Sequence, residues 1–279
     1  MADTAGLVGV GAMGSALLKR LVLAGCAVKA YDILDQRTAA AAKAGAEAAA
    51  SPKAAAEGAQ CTHVFVRTDD EVSDAVLGTD GVLEGAGKGA LVLLHSTIMP
   101  DTTKRIAEAA AARGVTVIDA PVTAIPRVVA AGDAVFLLGG GDDGVARAGA
   151  QLEALGKGVW HFGPTGAGNV AKIAKNFINA AERVVLAESL NMAEAGGLDV
   201  AKFLEMAVAE DGGSAISRWE RAFELVGNHA EPRPASNLMN KDVRLAAELA
   251  DAQGVSAPVA HGAADTAAIW VTGWEAAKT

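Results

Sequence analysis

The chain has 279 residues, of which 51% are hydrophobic and only 4% aromatic, and it carries a formal net charge of −9. With Lys and Arg scattered and no basic run, it lacks the positive face that phosphate binding requires, which excludes a nucleic-acid binder. Two cysteines, Cys26 and Cys61, do not make a disulfide framework, and no uncharged apolar run reaches the ~18 residues of a membrane span.

The predicted elements begin at once. The first residues run straight into a strand, Gly6–Val10, and a glycine-rich turn; this leaves no room for a cleaved signal peptide, and a cytoplasmic setting is expected. Leu7-Val8-Gly9-Val10-Gly11-Ala12-Met13-Gly14 carries G-x-G-x-x-G between an apolar strand and a helix, Ala12–Ala24. Gly9 permits the tight turn, Gly11 lets backbone approach a pyrophosphate, and Gly14 lets the helix pack on the strand. The amides of Ala12, Met13 and Gly14 then face the anion at the helix N-terminus. A second strand, Ala27–Tyr31, ends at Asp32, about 20 residues beyond the glycines, where a carboxylate binds ribose hydroxyls and repels a 2′-phosphate. NAD is therefore expected, with NADP possible because Arg37 lies close in sequence.

Gln36–Ala44 reads as a helix, and the alanine-rich tract Ala39–Ala59 as surface helix. Thr62–Val66 is a strand with Arg67 just beyond it. Leu91–Leu94, Val115–Asp119 and Ala134–Leu138 are further strands, with a helix over Asp101–Arg113. Strand–helix alternation of this kind implies a doubly wound parallel sheet of Rossmann type. The pattern changes at Gly163–Gly166. Beyond it only helix-period segments are read: Gly166–Ala195, Val200–Val208, Ala215–Leu225, Asn237–Ala250 and Pro258–Trp270. The expected division is a dinucleotide-binding domain over residues 1–163 and an all-helical substrate and dimerisation domain over 164–279, joined by a long inter-domain helix. No His or Cys spacing implies a metal.

Four more segments follow the fingerprint in order: His95-Ser96-Thr97-Ile98-Met99-Pro100, Asp119-Ala120-Pro121-Val122-Thr123-Ala124, Gly163-Pro164-Thr165-Gly166-Ala167-Gly168 leading into Lys172-Ile173-Ala174-Lys175-Asn176, and Lys241-Asp242-Val243-Arg244-Leu245-Ala246. Together they resemble the β-hydroxyacid dehydrogenase family, which includes 3-hydroxyisobutyrate dehydrogenase, tartronate semialdehyde reductase and the 6-phosphogluconate dehydrogenases. The resemblance runs from Gly9 to about Ala246. It implies hydride transfer between a nicotinamide cofactor and a small hydroxy acid or its oxidised form. It puts the general acid/base on Lys172, with Asn176 one turn later, and substrate in a cleft between the domains. The carboxylate-binding hydroxyl falls on Thr123, and Ser96, Thr97 and Lys241 fall near the nicotinamide, Lys241 also reaching substrate. Relatives are commonly dimers or tetramers.

The chemistry fits the assignment, since oxidising an alcohol releases its hydroxyl proton and a desolvated lysine can take it. Lys175, three residues on, is a departure from the family. So is the loop after Thr123, where Ala124-Ile125-Pro126 stands for Gly-Gly; amides at Ala124 and Ile125 are still expected at the carboxylate, but their Cβ atoms narrow the approach and disfavour positive φ. This departure points to a substrate other than hydroxyisobutyrate. Asn179 stands where 6-phosphogluconate enzymes carry an acid and argues against that branch. Imine reduction, known in relatives that replace the lysine, is a rival reading; a non-catalytic NAD-binding module is another. Trp219 is expected in the helical core.

Overall fold

A computed structural model describes residues 4–210, 223–227, 229–232, 236–254 and 257–266. The chain divides into two compact units, Met1–Lys172 and Ile173–Thr279. The first unit opens with β1 (Thr4–Val8), α1 (Ala12–Leu23), β2 (Ala27–Tyr31), α2 (Asp35–Lys43), β3 (Glu47–Ala48) and α3 (Pro52–Ala56). It continues through β4 (Cys61–Val64), α4 (Asp69–Leu77), α5 (Val82–Gly85), β5 (Leu91–Leu94), α6 (Pro100–Ala111) and β6 (Thr116–Asp119).

These strands form a six-stranded sheet in the order β3-β2-β1-β4-β5-β6, parallel throughout. The chain winds outward from β1 to β3, then returns to β4 on the other side of β1. That reversal places a crevice at the carboxyl ends of β1 and β4, where doubly wound sheets bind ligands. Helices cover both faces, so the strands read as continuous apolar runs. In β5, Leu91 and Leu93 enter one core with Leu7, Leu17 and Leu21, while Val92 and Leu94 enter the opposite core with Val8, Val64 and Ile106. The period-two alternation of a strand thus serves two cores at once.

In the first unit two expectations need correction. The Ala39–Ala59 tract is not one surface helix: α2 stops at Lys43, β3 joins the sheet edge, and α3 buries Ala55 and Ala56. Ala134–Leu138 is a strand but belongs to a second sheet. β7 (Val122–Thr123), α7 (Pro126–Ala131), β8 (Val135–Leu138), α8 (Asp142–Glu153) and β9 (Gly158–His161) follow β6, and β7, β8 and β9 make a three-stranded sheet. In it β7 runs antiparallel to β8, and β9 is parallel to β8.

The long helix expected over Gly166–Ala195 is present as α9 (Ala167–Ala195), 29 residues and about 44 Å at 1.5 Å per residue. It runs through the division between the units. The second unit adds α10 (Val200–Glu210), β10 (Phe223–Val226), β11 (His229–Pro232) and α11 (Ser236–Ala252), and residues 258–266 are helical. This half is helical but not wholly so, because β10 and β11 pair as an antiparallel ribbon. The predicted helix Ala215–Leu225 lies mostly outside the described residues, and its end is strand; Trp219 also lies outside them. Phe223 buries itself with Leu186 and Leu190 of α9 and Leu204 of α10, and Val243 of α11 packs with Ala180 of α9. Among the described residues no helix is long and apolar enough to cross a membrane.

Candidate active site

The glycine turn sits at the carboxyl end of β1. Gly9 has φ +91°, a conformation that disfavours a side chain, and a Cβ there would strike the Phe65 carbonyl. A Cβ on Gly14 would strike the Gly9 carbonyl, so the third glycine lets α1 start against the turn. Around Gly11 the space is open; the nearest atom to an added Cβ is Arg37 Nη1, at 3.9 Å. A pyrophosphate can therefore reach the backbone at Gly11, beside the first amides of α1, which have no acceptor within the helix. Ala12 is exposed and Met13 half-buried at this start.

Asp32 follows β2 and is buried. Its Oδ2 accepts the Val10 amide at 2.7 Å and its Oδ1 the Leu34 amide at 3.0 Å, tying the end of β2 to the glycine turn. Arg37 Nη1 lies 3.6 Å from Oδ2. The fingerprint, the carboxylate and this arginine form one cluster. The residues present fit a dinucleotide: an open backbone approach, a helix N-terminus and a carboxylate at the end of the second strand. Arg67 is exposed, with its guanidinium 2.9 Å from Glu71 and its amide donating to the same carboxylate at 2.8 Å.

The loop after β5 is held on several sides. Ser96 is buried and its hydroxyl donates to the Val66 carbonyl at 2.6 Å, while Thr97 is half-buried. Beneath them His95 Nδ1 lies 2.8 Å from the Ala120 carbonyl, which only a protonated Nδ1 satisfies. His95 Nε2 then accepts from His63 Nδ1 at 2.9 Å, and His63 Nε2 faces Cys61 Sγ at 3.8 Å. Burial lowers both imidazoles below their ordinary value, His95 to about 4, and raises the Cys61 thiol to about 12. Nothing in the local spacing of the sequence signals this neutral chain.

Thr123 ends β7, half-buried, with its hydroxyl 3.5 Å from the Val135 carbonyl. Ala124 packs against the core and Ile125 is 43% exposed. Ile125 adopts an extended φ of −100° and Pro126 opens α7, where its missing N–H costs nothing. The Cβ atoms that replace Gly-Gly therefore meet no positive φ.

On α9, Lys172 is buried, at 9% exposure, whereas Lys175 is exposed. In the second unit, Asn176 Nδ2 donates to Asp242 Oδ2 at 2.9 Å, and Lys241 Nζ is 3.8 Å from Asp242 Oδ1. Asp242 thus holds two candidate site residues at once.

Residues 4–163 match the NAD-binding domain of 6-phosphogluconate dehydrogenase, and residues 166–276 the NAD-binding region of NADP-dependent 3-hydroxyisobutyrate dehydrogenase. A 3-hydroxyisobutyrate dehydrogenase of Pseudomonas aeruginosa is 36% identical over 94% of this chain and 89% of its own. An NAD-dependent L-serine dehydrogenase of the same organism is 32% identical over 90% and 87%. The chain belongs to the β-hydroxyacid dehydrogenase family. It is accordingly a nicotinamide-dependent dehydrogenase acting on CH–OH groups and uses NAD; NADP also serves in this family. The structure of a Mycobacterium tuberculosis 3-hydroxyisobutyrate dehydrogenase with L-serine superposes with a TM-score of 0.84 at 27% identity, over 98% of this chain and 94% of that one. An imine reductase from Myxococcus stipitatus, at 20% identity and a TM-score of 0.67, shares the fold.

Against this family background, the residues that sequence reading missed are those that hold the site. Asp119 and Asn169 are wholly buried and hydrogen-bond across long stretches of chain, and no local spacing signals them.

Proposed function

We propose that this enzyme oxidises 3-hydroxy carboxylates of the form HOCH2–CH(R)–COO⁻ to the semialdehyde, with Lys172 as general base. The observation that carries this reading is the burial of Lys172 beside an exposed Lys175: an ammonium is seldom withdrawn from water without a task. NAD, when bound, supplies the hydride acceptor. Lys172 Nζ takes the hydroxyl proton as the carbinol C–H electrons leave, and in reverse returns it to the forming alkoxide. Asn176, one helical turn on and held by Asp242, orients the same hydroxyl. Thr123 and the amides of Ala124 and Ile125 receive the carboxylate, and Lys241, with Ser96 and Thr97, borders the nicotinamide. Gly9, Gly11 and Gly14 with the first α1 amides take the pyrophosphate, and Asp32 the ribose, with Arg67 at the rim.

The substrate class is supported by three relatives, named for 3-hydroxyisobutyrate, L-serine and 2-(hydroxymethyl)glutarate. All three compounds carry a primary hydroxymethyl beside a carboxylate-bearing carbon and differ only in R. Ala124 and Ile125, in place of glycines, with Pro126 stiffening the loop, would set the shape that R meets. The test is NADH formation from a panel with R as methyl, amino, hydroxyl or carboxyethyl, with lactate as the secondary-alcohol control. Turnover of lactate faster than of every hydroxymethyl acid would overturn the class. The alanine-rich second unit supports a homodimer or homotetramer, which light scattering would test.

Cofactor choice gives a second expectation. Asp32→Asn keeps one acceptor for the Val10 amide but removes the charge that faces Arg37 and any 2′-phosphate. The ratio of kcat/KM with NADP to that with NAD should rise about tenfold or more, a difference of ~1.4 kcal/mol. An unchanged ratio in steady-state assays would remove Asp32 from ribose recognition.

A further inference from the structure

Asp119, the last residue of β6, is wholly buried at the sheet's carboxyl edge. Its backbone is fixed by paired hydrogen bonds with Gly139, at 3.2 and 2.9 Å. Its Oδ1 accepts the Gly166 amide at 2.8 Å and its Oδ2 the Asn169 amide at 2.9 Å. Room for the carboxylate is made by two glycines: a Cβ on Gly139 would lie 2.5 Å from Oδ1, and one on Gly168 2.9 Å from Oδ2. Asn169, also wholly buried, makes a second tie: its Oδ1 accepts the Ile98 amide at 3.1 Å and its Nδ2 donates to Thr103 Oγ1 at 3.3 Å.

The first-turn amides of any helix need acceptors, and a Ser, Thr or Asp just before the helix would serve them equally well. Such a local cap would leave α9 free to shift against the sheet. Here the acceptor comes from β6, which fastens the helix to a strand, and Asn169 fastens it to the loop after β5 and to α6. Burying a carboxylate also costs several kcal/mol that an apolar side chain would avoid. Lys172 lies three residues beyond Asn169, on the same side of the helix and about 4.5 Å along it.

We infer that Asp119 and Asn169 are positioning residues for Lys172, pinning the first turn of α9 so that the amine meets the substrate oxygen from one fixed direction. The inference rests on the reading of Lys172 as the base. Displacements of about 1 Å at reacting atoms cost on the order of a hundredfold in rate, so a loosened turn is read in kcat.

The test compares Asp119→Asn, Asn169→Ala and Lys172→Ala with wild type, using L-serine or 3-hydroxyisobutyrate, whichever wild type oxidises faster. Active sites are counted by NADH fluorescence titration. Asp119→Asn keeps the shape but turns an NH2 toward one of the two amides; kcat per NADH site should fall about 30-fold, with NADH Kd changed by less than about twofold. Asn169→Ala leaves the carboxylate cap and should lower kcat about fivefold, again at constant Kd. A merely structural role would lower the melting temperature and the number of sites, not kcat per site. If every folded variant of the pair keeps wild-type kcat per site while Lys172→Ala is inactive, the positioning role is overturned. If Asp119→Asn does not fold, Asn169→Ala decides alone. Activity in Lys172→Ala would instead overturn the assignment of the base.

Discussion

Lys172→Ala is expected to lower kcat for alcohol oxidation about a thousandfold, the range that a positioned general base supplies, or ~4 kcal/mol of barrier. NADH affinity should stay nearly constant, because the residues proposed for the pyrophosphate and ribose lie at the ends of β1 and β2. Lys172→Arg sharpens the test: a guanidinium keeps the charge but does not deprotonate near neutral pH, so this variant should be as inactive as alanine. Lys175→Ala, at an exposed position, should retain most of its rate. Stopped-flow measurement of NADH formation under single-turnover conditions separates the chemical step from product release. A Lys172→Ala enzyme that kept more than about a tenth of the wild-type single-turnover rate would show that the proton leaves by another route.

The sequence was most legible where chemistry is local. G-x-G-x-x-G between strand and helix is a short-range constraint, and the turn at Gly9 and the contact at Gly14 are the ones those glycines imply. The length of α9 was equally legible, since thirty residues without proline sustain one helix. Punctuation within alanine-rich chain was harder, because alanine favours helix throughout and masks its interruptions. The signals were there: Gly45 follows α2, and Ser51-Pro52 opens α3, with Ser51 Oγ accepting the Ala54 amide at 3.1 Å. The β10–β11 ribbon likewise had a marker in Gly227-Asn228 between two short runs, a dipeptide typical of two-residue hairpin loops.

Sheet membership and the anchoring of the site were not legible, for a different reason. The apolar run of β8 says that it is a buried strand, not which neighbours it pairs with; these are β7 and β9, outside the main sheet. Asp119 stood in a recognised motif, yet its acceptor role depends on amides 47 and 50 residues away, and Asn169 on Ile98, 71 residues away. Spacing rules reach one helical turn or one strand pair. The side chains that bind α9 to the sheet lie beyond that reach.

The buried imidazole pair sets the second large effect, a loss of stability in acid. Both rings must stay neutral in the native chain: His95 spends its one proton on the Ala120 carbonyl and offers Nε2 to His63. In the unfolded chain each has an ordinary value near 6.5, whereas in the fold His95 titrates at about 4 and His63 well below 6.5. Below pH 6.5 the unfolded chain therefore binds protons that the native chain refuses, and stability falls, by about 1.4 kcal/mol per pH unit for His95 and in the same direction for His63. For His95 alone the loss approaches about 3 kcal/mol by pH 4, a large part of a typical domain's stability. Asp119 acts in the opposite sense. Burial raises it from 3.8 to about 6, so between those values the native chain holds a proton that the unfolded chain lacks, and stability rises as pH falls. The carboxyl roughly offsets His95 between pH 6 and 4, so His63 leaves the net slope downward toward acid. Urea midpoints measured at half-unit steps from pH 7 to 4.5 should show this slope. The double variant His63→Leu/His95→Phe places an apolar ring against Phe65 and Phe136, which already stack on or tilt against His95. It should be weaker at pH 7, with the Ala120 carbonyl left unpaired, and below pH 6 it should lose less stability toward acid than wild type, with the raised Asp119 carboxyl opposing the fall. Parallel curves for wild type and variant would show that the rings are not the acid-sensitive groups.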